Sequence, residues 1–145
     1  MTSILFLCTG NYYRSRYAEL LFNARAAELG LPHRADSRGL ATDRGANNFG
    51  PIARCVVETL SNRGTTFAEP MRFPMQVAVE DLQQAKRVIA VKEAEHRQLL
   101  SERYPGWENR VEYWHVHDID FATVPETLAA IEEMVDKLLG ELVAA

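Results

Sequence analysis

Cysteine is scarce in this chain: its 145 residues include two, Cys8 and Cys55. Two cysteines cannot build the disulfide framework of a small secreted domain, and no Cys/His spacing resembles a zinc site. Long apolar runs are missing as well. No stretch reaches the roughly 18 apolar residues that span a bilayer, and the chain opens with neither a basic segment nor the apolar core of a secretion signal. These absences point to a cytoplasmic protein. An excess of positive charge is also lacking. The formal net charge is −4, which gives no footing for general binding to nucleic acid or a membrane surface. No internal repeat, linker or low-complexity tract interrupts the chain. What is present is ordinary for a soluble globular protein, 47% hydrophobic and 25% charged residues. The length suits one domain, 1–145, with a real core.

Residues 3–8 form a continuous apolar run, which predicts a strand buried on both faces of a parallel sheet. A helical pattern runs from Tyr13 to about Leu29, with Tyr17, Leu21, Ala24 and Ala27 on one face and Gly30 as its stop. Arg34 to Ser37 reads as a short polar strand at a sheet edge, and 38–50 as a loop. Pro51 opens a helix to about Asn62, burying Ile52, Val56 and Leu60, with Cys55 as a small buried hydrophobe on its apolar side. A short helix over Val79–Ala85, a strand over Arg87–Val91 and a helix over Glu93–Arg103 follow. Pro105-Gly106 is a turn, and Val111–Val116 is the last strand. Thr123 and Glu126 have the form of a capping box around Pro125, opening a helix that buries Leu128, Ile131, Val135, Leu138 and Leu142. Strands alternating with helices predict a doubly wound α/β fold in three layers, with a four-stranded parallel sheet and helices on both faces.

The informative segment is Cys8-Thr9-Gly10-Asn11-Tyr12-Tyr13-Arg14-Ser15. An apolar strand ends at a cysteine, a short loop containing Gly10 and Asn11 follows, and Arg14-Ser15 leads into a helix. Such a loop aims backbone N–H groups inward at a helix N-terminus, which makes an anion site. The same positive field favours the thiolate of Cys8. A thiolate beside a bound phosphate is a nucleophile with its substrate in place. In doubly wound sheets, sites form beyond the carboxyl ends of the strands. Asp118, after the last strand, is therefore expected on the same rim as Cys8.

The segment resembles the Cys-x5-Arg-Ser signature of the low-molecular-weight protein tyrosine phosphatases, with Gly-Asn at its middle. The likeness extends to Asp36-Ser37, to Glu80-Asp81-Leu82, and to Trp114-His115-Val116-His117-Asp118 at the end of the last strand. The resemblance implies roles for individual residues. Cys8 attacks phosphorus and forms a cysteinyl phosphate. Arg14 grips two phosphoryl oxygens, and the backbone N–H groups of Thr9, Gly10, Asn11, Tyr12, Tyr13 and Arg14 surround the others. Asn11 holds a left-handed turn tied to Ser37, and Ser15 donates to the Cys8 sulfur. Asp118 protonates the leaving oxygen and then activates water. No metal or other cofactor is required. The substrate is a phosphotyrosine protein or a small aryl phosphate.

Several positions depart from the family pattern. Ile119 follows Asp118 where a proline is usual, and Asp120 is a competing acid. Arg16 stands where proline is common, and Tyr13 stands where many members have a second, redox-active cysteine. A histidine usual before the third strand is replaced near Arg72. Tyr12 is larger than the usual aliphatic residue at the pocket wall. His115 and His117 read as structural or solvent-facing, while Phe49 and Phe121 either wall the cleft or belong to the core. Two other functions are compatible with the loop. Arsenate reduction of the thioredoxin-coupled kind needs two further cysteines, and only Cys55 is available. A phosphate-binding module with little turnover is the other. Relatives acting on phosphoarginine favour a small β-branched residue where Tyr12 stands.

Overall fold

A computed structural model describes residues 3–65, 67, 71–117 and 122–145. The elements run β1 (Ile4–Cys8), α1 (Arg14–Glu28), β2 (Ala35–Gly39), α2 (Arg54–Asn62), α3 (Val79–Gln84), β3 (Arg87–Ala90), α4 (Glu93–Arg103), β4 (Glu112–Tyr113) and α5 (Val124–Ala144). The four strands form one parallel sheet in the order β2-β1-β3-β4. β1 is central and every residue of it is buried, as its unbroken apolar run requires. Alternation along β1 divides the core into two layers. Ile4, Phe6 and Cys8 pack with residues of α1, α2 and α5, whereas Leu5 and Leu7 pack with Leu82 of α3 and Leu99 and Leu100 of α4. The predicted three-layer α/β architecture is therefore present. Phe6 anchors the first layer, with its ring centroid 6.2 Å from Phe22 and 5.3 Å from Trp114. No described helix is long and apolar enough to cross a membrane.

Several details differ from the sequence reading, among them the end of β2, which reaches Gly39 within the predicted loop 38–50. The buried face of α1 carries Tyr17, Ala18, Leu21, Phe22 and Ala26, while Ala27 is exposed and Ala24 only half-buried. The stripe follows the bulky Phe22, so that Ala18 and Ala26 face the core in place of Ala24 and Ala27. α2 begins at Arg54 instead of Pro51, because the chain bends at Pro51 and Ile52, Ala53 has ψ 131°, outside the helical region, and the Ala53 N–H donates to the Tyr12 carbonyl at 2.9 Å. Helix formation there would forfeit that bond. β4 is two residues long, since the Trp114 carbonyl turns to accept from Glu93 N–H at the start of α4. In α5, Leu139 is buried and Leu142 is half-buried.

The ladder between β1 and β2 brings Gly39 opposite Cys8. A Cβ on Gly39 would lie 2.6 Å from Thr42 Cγ2, 3.0 Å from the Thr9 carbonyl oxygen and 3.1 Å from Asn11 Cβ. A β-branched side chain and a backbone carbonyl cannot both yield cheaply, so glycine here sets the closest approach of β2 to the loop after Cys8. Gly39→Ala is expected to destabilise the fold by about 1–3 kcal/mol, the usual cost of overpacking. Denaturant unfolding of the variant beside the parent measures it; an unchanged midpoint would show that the loop absorbs the methyl group.

Candidate active site

The loop from Thr9 to Tyr13 turns on Asn11, which is fully buried and has φ +52°. Among described non-glycine residues it alone enters the left-handed region, which asparagine tolerates better than most side chains. Four hydrogen bonds fix its amide. Oδ1 accepts from Arg72 Nη1 at 2.9 Å and Met75 N–H at 3.1 Å. Both partners are pure donors, so the amide orientation is determined. Nδ2 then donates to Ser15 Oγ and to Ser37 Oγ, each at 2.9 Å. Ser15 Oγ lies 2.9 Å from Cys8 Sγ, and the Asn11 N–H donates to the same sulfur at 3.3 Å. When the sulfur carries no proton, only Ser15 can donate across that contact. Ser15 sits in the first turn of α1, whose N-cap supplies no capping side chain, so the sulfur lies at the positive end of a helix.

Behind Asn11 is a charged cluster. Ser37 Oγ donates to Glu19 Oε1 at 2.6 Å. Arg72 Nη2 donates to the Ser37 carbonyl at 2.8 Å, and to Asp36 Oδ1 and Glu19 Oε1 at 3.2 Å each. Arg16, 1% exposed, donates to the carbonyls of Arg72 and Pro51. Burial lowers the Arg16 pKa, reinforced by Arg72 and opposed by Glu19 and Asp36. Burial likewise pushes the Glu19 carboxyl above its ordinary value despite Ser37, Arg72 and Arg16.

On the other flank, the Arg14 side chain is 3% exposed. Its Nη1 donates to the Val116 carbonyl at 3.1 Å and its Nη2 to Glu95 Oε2 at 2.9 Å. The same Glu95 oxygen accepts from the Thr9 hydroxyl and lies 3.0 Å from His96 Nε2. Burial opposes the charge of Glu95, but His96, Arg14 and Thr9 together hold its carboxyl well below the usual carboxylate range.

Cys8, Thr9, Gly10, Tyr12, Tyr13 and Arg14 line one cleft of about 280 Å³, completed by Asn48, Ala53, Cys55 and Val124. The Tyr12 hydroxyl donates to the Phe49 carbonyl at 2.5 Å, which holds its ring at the rim. Phe49 itself is 93% exposed and belongs to neither core nor cleft wall. Cys55, read from the sequence as a buried hydrophobe, is half-buried and borders the cleft from the first turn of α2. Asp118, Asp120 and Phe121 lie outside the described residues. Among the described residues no cluster of His, Cys, Asp or Glu is arranged to hold a metal ion. A thiol flanked by a hydroxyl donor and a guanidinium in a small cleft suits nucleophilic attack on an anionic, tetrahedral electrophile.

A family model for low molecular weight phosphotyrosine protein phosphatase matches residues 3–145. The chain belongs to that family. Its members are cysteine-based protein tyrosine phosphatases, and the family supports phosphatase activity for this chain. The low molecular weight protein tyrosine phosphatase from T. tengcongensis has a TM-score of 0.76 at 27% identity, covering 97% of this chain and 99% of that one. YfkJ from Bacillus subtilis reaches 0.80 at 26% identity, covering 99% and 96%. At 23% identity, the YwlE arginine phosphatase with a phosphorylated active-site serine shares the fold, with a TM-score of 0.77 over 97% and 95%. No curated protein matches the chain.

Against this phosphatase frame, sequence reasoning did not find Glu95, His96, Glu19 or Asn48, and identified Arg72 only as a replacement. One signal was available for Glu95: it follows β3, whose carboxyl end reaches the same rim as Cys8. Glu95 also gives a pH prediction. A carboxyl depressed in the folded state contributes stability above its unfolded pKa, and loses it as pH falls through the folded one. The parent should therefore exceed Glu95→Gln in melting temperature most clearly above about pH 5, with the gap shrinking as pH falls below about 4, around the unfolded pKa. Thermal melts of both proteins across this range test it; a gap independent of pH would contradict the assignment of charge to Glu95.

Proposed function

We propose that the protein hydrolyses phosphotyrosine-like aryl phosphomonoesters through a cysteinyl-phosphate intermediate. The observation that carries this reading is that Cys8 and Arg14 line one cleft, with the hydroxyl of the fully buried Ser15 2.9 Å from the Cys8 sulfur. The Cys8 thiolate attacks phosphorus as the bond to the phenolic oxygen breaks. Asp118 donates a proton to that oxygen, and the phenol leaves. Arg14 and the loop N–H groups from Thr9 to Arg14 stabilise the equatorial oxygens in the transition state. Water then attacks phosphorus while the Asp118 carboxylate takes its proton. The S–P bond breaks, returning the thiolate, which the Ser15 hydroxyl stabilises as a leaving group. Two observations support Asp118: it follows the last strand by sequence, and the carbonyl of Val116, two residues before it, already accepts from Arg14.

The aryl preference rests on Tyr12 and Tyr13, which both line the cleft. A flat aromatic wall gives a phenyl ring contact that a short alkyl phosphate lacks. The same ring at position 12 weighs against phosphoarginine, although one structural neighbour is an arginine phosphatase. Arsenate reduction is less well supported: Cys55 borders the cleft, yet the route needs a further thiol.

Turnover of phosphotyrosine peptide is expected to exceed that of phosphoserine and phosphoarginine peptides, and Tyr12→Ala should narrow the difference. Arg14→Lys keeps the charge but loses the fork, so turnover should fall by about a hundredfold or more. A steady-state assay of the parent and both variants on the three peptides decides the matter; parent-like turnover by Arg14→Lys would make Arg14 structural.

The general acid is separable by leaving group. Asp118→Ala should lose far more rate on phenyl phosphate than on nitrophenyl phosphate, because a good leaving group departs without a proton. Asp120→Ala should show no such asymmetry. The reverse pattern would move the acid two residues along while leaving the role of Cys8 intact.

A further inference from the structure

We propose that Glu95 is a positioning residue that sets the plane of the Arg14 guanidinium, and that His96 holds Glu95 in place to do so. This rests on the phosphatase reading of the same cleft. Arg14 is a long side chain, and among the described residues contacts on two different nitrogens orient it: Nη1 to the Val116 carbonyl and Nη2 to Glu95 Oε2. Two points fix a planar group where one does not. The Glu95 oxygen is itself held on three sides, by Arg14, by the Thr9 hydroxyl and by His96 Nε2.

The imidazole tautomer follows from its other side. The Lys92 backbone N–H donates to His96 Nδ1 at 3.1 Å. A nitrogen that accepts carries no proton, so in the neutral ring Nε2 bears the hydrogen and points it at Glu95 and Thr9. His96 is fully buried, which keeps the ring from rotating away. Glu95 also occupies the first turn of α4, where the helix favours a carboxylate. Thr9 and Arg14 line the cleft, whereas Glu95 is not among its lining residues. Glu95 thus acts from behind, on two residues that face the substrate, without touching it.

The expected signature is kinetic and depends on Arg14. Glu95→Ala should lower kcat on aryl phosphate by roughly 10- to 100-fold, the scale of a misplaced catalytic group, with KM changed less than about threefold. In an Arg14→Lys background the same change should alter kcat by less than about twofold, because the partner it positions is gone. All three donors meet one oxygen, so Glu95→Gln retains the geometry and should keep more activity than Glu95→Asp, which keeps the charge on a shorter arm. That order can be read even if the alanine variant does not fold. Parent-like kcat in Glu95→Ala, equal losses in both backgrounds, or Asp exceeding Gln would each overturn the proposal. An Arg14→Lys protein with parent kcat would make Arg14 structural and overturn the proposal as well, whereas a parent that does not turn over aryl phosphate would instead overturn the phosphatase reading beneath it.

Discussion

The site depends on a single buried amide. Asn11 joins three parts of the chain through one side chain: the first turn of α1 at Ser15, β2 at Ser37, and the segment of Arg72 and Met75. A left-handed residue is not favourable by itself, and a non-glycine residue keeps that conformation only where its surroundings over-determine it. Here the determination is complete, since each amide atom has two partners of fixed donor or acceptor character. The position of the Cys8 sulfur follows from it: the Asn11 N–H bonds the sulfur directly, and the Asn11 amide holds the serine hydroxyl that bonds it again. Gly39 has its place in the same constraint, because its missing side chain lets β2 lie against Thr9 and Asn11.

Charge is arranged differently on the two sides of the loop. Glu19 and Glu95 are both carboxylates paired with arginines, yet burial wins at Glu19 and the partners win at Glu95. The contacts explain the contrast. Glu19 is the more buried, at 13% exposure against 29%, and one of its arginines stands as far as 3.9 Å away. Glu95 concentrates three close donors on one oxygen. Desolvation scales with burial while stabilisation scales with close donors, so the two groups shift in opposite directions. The fixed negative charge therefore lies beside Arg14, and the more easily neutralised one lies under the loop with Arg16 and Arg72.

Much of this was legible because it is local. The run Ile4–Cys8, the Gly10-Asn11 turn and the Arg14-Ser15 start of a helix are contiguous, and their pattern is fixed by backbone rules that operate over a few residues. The capping box at Thr123 and Glu126 was legible for the same reason. The illegible parts are those set by tertiary hydrogen bonds. The start of α2 moved three residues because Ala53 bonds to Tyr12 across the fold. The last strand was cut short by the turn into α4. Of the acids after β3, sequence could not separate Glu93 from Glu95, since only the helix phase of α4 decides which one faces Arg14.

The same distinction explains which active-site groups are self-positioning. Cys8 and Ser15 are short, with one side-chain torsion each, so fixing the loop and the first turn of α1 nearly fixes the sulfur and the hydroxyl. Arg14 is long and loses about 2 kcal/mol of rotamer freedom when held in one orientation. Its place in the signature fixes its Cα and little more. Orientation has to come from elsewhere in the fold, and in this chain the Val116 carbonyl and Glu95 provide it, more than 80 positions away. A signature motif can thus name the cation of a phosphate site, but the geometry that makes the cation useful belongs to residues whose sequence separation hides them.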